Sequence, residues 1–325
     1  MTLTQLGAFV LVARLGSVRA AADILGVSEP AVSRALAALR QHVDDQLLVR
    51  EGNVMTLTEG GTRLFGIASQ MVALGAEAEA AVRAAKGAPA HVRLLVTSTI
   101  AEFLATPLVE AFSQRWVGTF DMSSGVATAT EMRALLPNRL ADVALGPDLS
   151  GDAGGGDAGL RAPSLGLVSE PVLRYRMVVV GSPRYRPRGG PSHWQWLVDP
   201  SGTDPASDTG RLLRGLRVPE SRVLVFPNQT AAWAAAADGL GVAPAVAGLV
   251  SGQLRRGELG VVDTDRTPVN ATWYVTTLSK DRRSEAARCL CNFLATPLGT
   301  QLMCSPGTGV APSRFRPPVY VTIWS

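Results

Sequence analysis

A chain of 325 residues holds a small and a mid-sized domain rather than one, because a single core stops growing near ~250 to 300 residues. With 46% hydrophobic and 18% charged residues it can bury a real core, which excludes a disordered chain. The net charge of +4 invites a nucleic-acid partner, yet residues 1–58 set Arg14, Arg19, Arg34, Arg40 and Arg50 against Asp23, Glu29, Asp44, Asp45 and Glu51, so DNA binding needs a local arginine patch rather than a basic domain.

The first fifty-odd residues carry apolar positions at helical spacing, broken by short polar turns. Leu6, Phe9, Val10 and Ala13 form the buried stripe of a first helix, closed by Gly16, with Ser17 free to cap a second. Ala20, Ala21, Ile24 and Leu25 bury one side of that second helix. The turn Gly26, Val27, Ser28 is too short for anything but two helices crossing steeply, which is helix-turn-helix geometry. Ser28 is expected to cap the third helix, Pro30 sits in its first turn, and Val32, Leu36 and Leu39 face inward. Residues 47–49 and 54–57 read as two short strands joined by a tip, a wing.

From Thr58 to about Lys86 no proline occurs, and a long helix is expected. Leu64, Ile67, Met71 and Leu74, continued by Ala78, Ala81 and Ala85, recur in steps of three and four, the spacing of a self-association seam; a lone amphipathic surface helix has the same stripe. Gly87, Ala88 and Pro89 mark a hinge.

Beyond it, strands alternate with helices: strand 92–97, a helix to Phe112, a weak strand near Phe120, a helix from Thr130, and strand 143–145. After the Gly- and Asp-rich segment 150–159 come strands 175–180, 223–226 and 261–262 with helices near Thr209 and Trp233, then strand 272–277 and a helix from Ser284. The pattern predicts an α/β region of mainly parallel sheets in two lobes, with a ligand cleft between them. The tail 306–325 is proline-rich and has no assigned role.

The start of the chain lacks an export pattern, and the most apolar stretch, 233–250, is broken by Asp238, Gly239, Gly241 and Pro244, so a cytoplasmic protein without a membrane span is expected. Cys289, Cys291 and Cys304 lack metal-ligand spacing and read as inert thiols rather than a redox sensor. No G-x-S-x-G, Walker, H-E-x-x-H or zinc pattern occurs, and His42, His91 and His193 have no visible partners; Gly239-Leu240-Gly241 stops short of a dinucleotide fingerprint because Pro244 takes the last glycine's place. Neither an enzyme nor a cofactor is expected. A solute-binding protein would match the C-terminal portion alone.

Phe9, Ser17, the run 20–25, Val27, Ser28, Pro30, Ala31, Ser33, Arg34 and Leu39, followed by Leu47, Arg50, Leu57, Thr58 and Gly61, closely resemble the N-terminal domain of LysR-type transcriptional regulators. Residues 97–101, 142–145, 238–242 and 254–259 resemble the same family's effector domain. The resemblance implies a winged helix-turn-helix over 1–58, a linker and dimerisation helix over 59–87, and an effector-binding domain over 88–325. That domain would comprise two Rossmann-like subdomains of the periplasmic-binding-protein kind, about 91–167 with 268–325 and about 168–267. It also implies double-stranded DNA and a small-molecule coinducer as partners, and a homodimer or homotetramer built through Leu64, Ile67, Met71 and Leu74.

On this reading Ser28, Glu29, Pro30, Ser33, Arg34 and neighbouring Ala37 face the major groove, and Arg50 in the wing lies near backbone or minor groove. Relatives usually carry glutamine where this chain has Glu29; a carboxylate only accepts, which favours the amino group of cytosine over adenine. By the same resemblance the cleft is lined by Ser98, Thr99 and Ile100, by Pro200, Ser201, Gly202 and Thr203, and by Asn228, Gln229 and Thr230, whose hydroxyls and helix-start amides suit an anion; simple helix capping is the alternative.

Overall fold

The structure is a computed structural model that describes residues 1–51, 54–150 and 166–304. Helix α1 (Leu3–Leu15) opens with a reciprocal capping box between Thr2 and Gln5 and stops at Gly16, whose left-handed φ of 66° no β-carbon favours. Ser17 caps α2 (Val18–Leu25), accepting from Ala20 N–H at 3.2 Å, and Gly26 ends it. Helix α3 (Glu29–Val43) buries Val32, Leu36 and Leu39 as its spacing predicts. Its cap differs from expectation: Ser28 occupies the N-cap but its hydroxyl makes no capping bond.

Helix α1 is buried well beyond its predicted stripe, with Ala8, Leu11 and Val12 as enclosed as Leu6 and Phe9. The cause is tertiary, because two further helices close over it. One is α4 (Glu59–Ala85), capped by Thr58, which accepts from Gly61 N–H at 2.9 Å. The other belongs to the following domain and shares the apolar cluster of α1 through Ala129, Met132 and Leu136.

Strands β1 (Leu48–Glu51) and β2 (Val54–Leu57) pair antiparallel, with Arg50 opposite Met55, as a wing whose tip at 52–53 lies outside the described residues. At its base Leu47 adopts φ 58°, held by its N–H to Asp45 Oδ1 at 2.6 Å and by its carbonyl, which accepts from Thr58 N–H at 3.1 Å.

The expected seam on α4 divides. Gly61, Phe65, Ala68 and Ala73 are its buried residues, and Leu64 and Met71 are half-buried against the chain's own core. Ile67 and Leu74 remain 59% and 61% exposed. The heptad pattern mixes two faces because a helix of 3.6 residues per turn drifts across a strict 3.5 repeat.

The C-terminal domain is one nine-stranded sheet. Strand β3 (Ala90–Val96) leads into a short α5 (Ser98–Ile100), a π-helical turn at Ala101–Ala105 and α6 (Thr106–Arg115). Strand β4 (Phe120–Val126), α7 (Ala129–Leu135) and β5 (Val143–Gly146) follow; β4 and β5 flank β3 in parallel. The second lobe contains β6 (Leu167–Gly181), β7 (Trp196–Val198), α8 (Asp208–Gly215), β8 (Val223–Val225), α9 (Gln229–Ala237), β9 (Val242–Val246), α10 (Ser251–Arg255) and β10 (Gly260–Val261). Strand β11 (Val269–Leu278), α11 (Glu285–Leu294) and α12 (Pro297–Cys304) return to the first lobe.

The sheet departs from the mainly parallel expectation at its centre. Strands β6 and β11 pair antiparallel with each other over nearly the whole length of β11 and link the parallel groups β4-β3-β5 and β9-β7-β8. Sequence periodicity shortens β6 because Glu170 and Pro171 interrupt its apolar run, and an extra residue there, Val172, shifts the register opposite Trp273 and Tyr274. Strand β7 has no predicted counterpart; all of its residues are buried, so it does not alternate, whereas the apolar stretch 233–250 forms a buried helix, turn and strand as α9 and β9.

Among the described residues no helix is long and apolar enough to cross a membrane. Cys291 is buried, which pushes its thiol up to about 11 and away from thiolate chemistry.

Candidate nucleic-acid interface and interlobe cleft

Helix α3 has one face locked and one face open. Opposite Val32, Leu36 and Leu39, the side chains of Glu29, Pro30, Ser33, Arg34 and Ala37 are all exposed, and so is Ser28 at the uncapped start. Arg50 is exposed on β1. A helix start whose first amides lack a side-chain acceptor favours phosphate there.

The remaining arginines divide by burial. Arg14 lies 4.9 Å over the Phe65 ring, and burial lowers its pKa to about 10. Arg40 donates from Nε to the carbonyl of Gln46 at 2.7 Å and from a terminal nitrogen to that of Leu48 at 3.2 Å, fastening α3 to the wing. These two hold the domain together, while Arg19, Arg34 and Arg50 are exposed.

The interlobe cleft encloses about 530 Å³, open solvent at its mouth included. Of the residues expected there, Thr99, Ser201 and Gln229 line it. Ile100 instead belongs to the apolar core of the first lobe, and Gly202 is packed so tightly that an added β-carbon would lie 2.7 Å from Val198. Pro200 and Thr203 are exposed, with the Thr203 hydroxyl donating to the Pro200 carbonyl. Asn228 caps α9 through Ala231 N–H at 2.8 Å.

The donors expected to receive an anion are engaged by the chain's own carboxylates. Glu102, on the π-helical turn of the first lobe, accepts from Gln229 N–H at 3.0 Å, from Thr230 N–H at 3.1 Å and from the Thr230 hydroxyl, all at the start of α9 in the second. Asp199 accepts from the hydroxyls of Ser98, across the cleft, and Ser201, at 2.8 Å for the latter. Asp204 accepts from Ala129 N–H at 2.8 Å, tying the start of α7 to the second lobe. Three carboxylates thus clasp the lobes together.

Sequence reasoning missed the aromatic and acidic part of the lining: Tyr175, Trp233, Trp273, Met177 and Asp208. Tyr175 and Trp273 lie on the middle of β6 and β11 with ring centroids 4.8 Å apart. Burial first, then the negative charge of Asp208, drives the Tyr175 hydroxyl far above its usual range, so it stays protonated and donates to Asp208. Arg211, half exposed, pairs with the other oxygen of Asp208. Trp233 stacks on Phe103 at 5.4 Å and donates its indole N–H to the Pro244 carbonyl at 3.1 Å. Tryptophans inside short strands and alanine-rich helices read as ordinary core, which is why they carried no signal.

His91 acquires partners invisible in sequence, Asp121 at 3.3 Å and Ser123 at 2.9 Å, brought beside it by parallel pairing of β3 and β4. His91 and Asp121 are exposed, Ser123 is half-buried, and none of the three lines the cleft.

A winged helix-turn-helix joined by a long helix to a two-lobed α/β domain defines a DNA-binding transcriptional regulator with an effector-binding domain. Residues 3–62 match the model of the bacterial regulatory helix-turn-helix proteins of the lysR family, and residues 85–298 match the LysR substrate binding domain. The chain belongs to the LysR family of transcriptional regulators. It is 34% identical to an uncharacterized HTH-type transcriptional regulator of Mycobacterium tuberculosis over 331 residues, covering 100% of each chain. It is 28% identical to the HTH-type transcriptional regulator CfxR of Cupriavidus necator, over 88% of this chain and 89% of that one. The same fold occurs in a full-length variant of Vibrio cholerae AphB, with TM-score 0.53, 20% identity and coverage of 91% and 98%. It occurs again in ArgP of Mycobacterium tuberculosis, with TM-score 0.51, 22% identity and coverage of 90% and 95%.

Proposed function

We propose that this regulator reads an interrupted palindrome through Ser28, Glu29, Pro30, Ser33 and Arg34 of α3 and Arg50 of the wing, as a homodimer or homotetramer, and that a small molecule in the interlobe cleft alters how it bends DNA. The observation that carries the reading is the two-sided helix α3: its apolar side is locked into the trihelical core while its polar side meets solvent. Pairing through a two-fold axis sets half-sites about one turn, ~34 Å, apart. Acting on chromosomal DNA, it works in the cytoplasm.

Selection of bound duplexes from random DNA tests the reading. The wild type enriches a two-fold repeat, and Glu29→Gln changes the preferred base at one position of each half-site, since a carboxylate accepts only and an amide both donates and accepts. No enriched sequence above bulk competitor removes the function, and an unchanged base preference in Glu29→Gln removes that residue from the groove.

The exposed Ile67 and Leu74 support assembly through α4. The double substitution Ile67→Glu and Leu74→Glu is expected to halve the mass seen by sedimentation equilibrium, and an unaltered mass places the contact elsewhere. An anionic coinducer, which the hydroxyls and amides of the cleft suggest by sequence, would have to displace Glu102 or Asp199 from donors they already hold.

A further inference from the structure

Resting on the reading of the cleft as the effector site, we infer that the effector carries a cationic nitrogen, an ammonium or guanidinium group, seated between Asp208 and the rings of Tyr175, Trp233 and Trp273. Among the described residues, the only charged side chain in the lining is a carboxylate, that of Asp208, and no lysine, arginine or histidine is present there. An anion placed there has no cation in the lining to meet, and the amides at the start of α9 face Glu102.

Asp199 adds to the negative field. It is 1% exposed and lies next to the Pro200–Thr203 turn that supplies lining residue Ser201. Its carboxylate is held by the hydroxyls of Ser98 and Ser201, and no ion pair joins it to a cation among the described residues. A buried carboxylate held by neutral donors alone still favours a nearby positive charge, because low-dielectric surroundings leave its field poorly screened. Arg211 offsets Asp208 in part, but that guanidinium is 50% exposed and on the solvent side of the pair, where water screens it.

The aromatic lining acts in the same direction. Tyr175 and Trp273, with ring centroids 4.8 Å apart, line the cleft together with Trp233, and aromatic rings attract a cation through their quadrupoles. Met177, Pro147, Ala245 and Val246 supply the apolar remainder, which suits a short hydrocarbon body.

The test uses the full chain and calorimetric titration at fixed ionic strength with agmatine, putrescine and arginine methyl ester as cations, and with succinate and benzoate as anions. At least one cation is expected to bind tenfold or more tightly than either anion, and Asp208→Asn to weaken that cation at least tenfold. The wild-type comparison decides the matter even if Asp208→Asn folds poorly for loss of its ion pair with Arg211. Anions binding more tightly than every cation, or no cation binding at all, overturns the charge class. The effector reading is judged separately by adding the unfractionated low-mass fraction of a bacterial extract to protein bound to its selected duplex: altered affinity keeps that reading, and unaltered affinity removes it.

Discussion

Arg34→Ala weakens binding to the selected duplex by about 1 to 3 kcal/mol, roughly ten- to a hundredfold, and flattens the salt dependence by about one released counterion. The side chain is exposed on the open face of α3, one turn beyond Pro30 and beside Ser33, with Ala37 leaving room on its C-terminal side. Removing it deletes charge from the surface that faces phosphate or guanine and leaves the core residues Val32, Leu36 and Leu39 untouched. Fluorescence anisotropy at several salt concentrations measures both quantities, and an unchanged affinity would show that another surface meets DNA. Arg40→Ala makes a contrasting control. Its guanidinium is spent on the carbonyls of Gln46 and Leu48, so its loss lowers thermal stability and loosens the wing.

Gly61→Val is expected to destabilise the N-terminal domain by about 1 to 3 kcal/mol or more and to abolish tight DNA binding. A β-carbon at Gly61 would lie 2.1 Å from the Leu47 carbonyl oxygen and 2.9 Å from its carbon, both backbone atoms. Leu47 has little freedom to retreat, being held at φ 58° by Asp45 and Thr58. The linker helix must therefore move off the wing. Every tryptophan lies at or beyond Trp116, so indole fluorescence follows the effector domain while far-ultraviolet circular dichroism follows all helices. The substitution should lower the midpoint of a helix transition and leave the main fluorescence transition in place; coincident, unshifted transitions would refute the clash. Acid strains the same junction. The Leu47 N–H and then the Thr58 hydroxyl hold Asp45 below the usual aspartate range, so its contribution is present above that range and is lost as pH falls through the lowered value.

The sequence by itself determined the elements whose information is local. Helices α1 to α4 follow from periodicity, from caps at Ser17 and Thr58, and from glycines at 16 and 26 that end helices in left-handed geometry. The exposed side of α3 follows from the same periodicity, since Val32, Leu36 and Leu39 fix which way Arg34 points. Alternating strands and helices were enough for an α/β domain with a cleft.

Tertiary structure decided everything that depends on which segments meet. Ala8, Leu11 and Val12 are buried because α4 and α7 close over α1, and Leu64 and Met71 turn partly inward while Ile67 and Leu74 stay outside for the same reason. Glu102 and Thr230 are 128 residues apart, and Ser98 and Asp199 are 101 apart, so no spacing rule could show that these carboxylates take the donors a ligand would use. Tyr175 and Trp273 meet only through the antiparallel pairing of β6 with β11. Periodicity reports the environment of one element at a time, whereas the charge and shape of a cleft are sums over elements distant in the chain, and those sums exist only once the lobes have closed on each other.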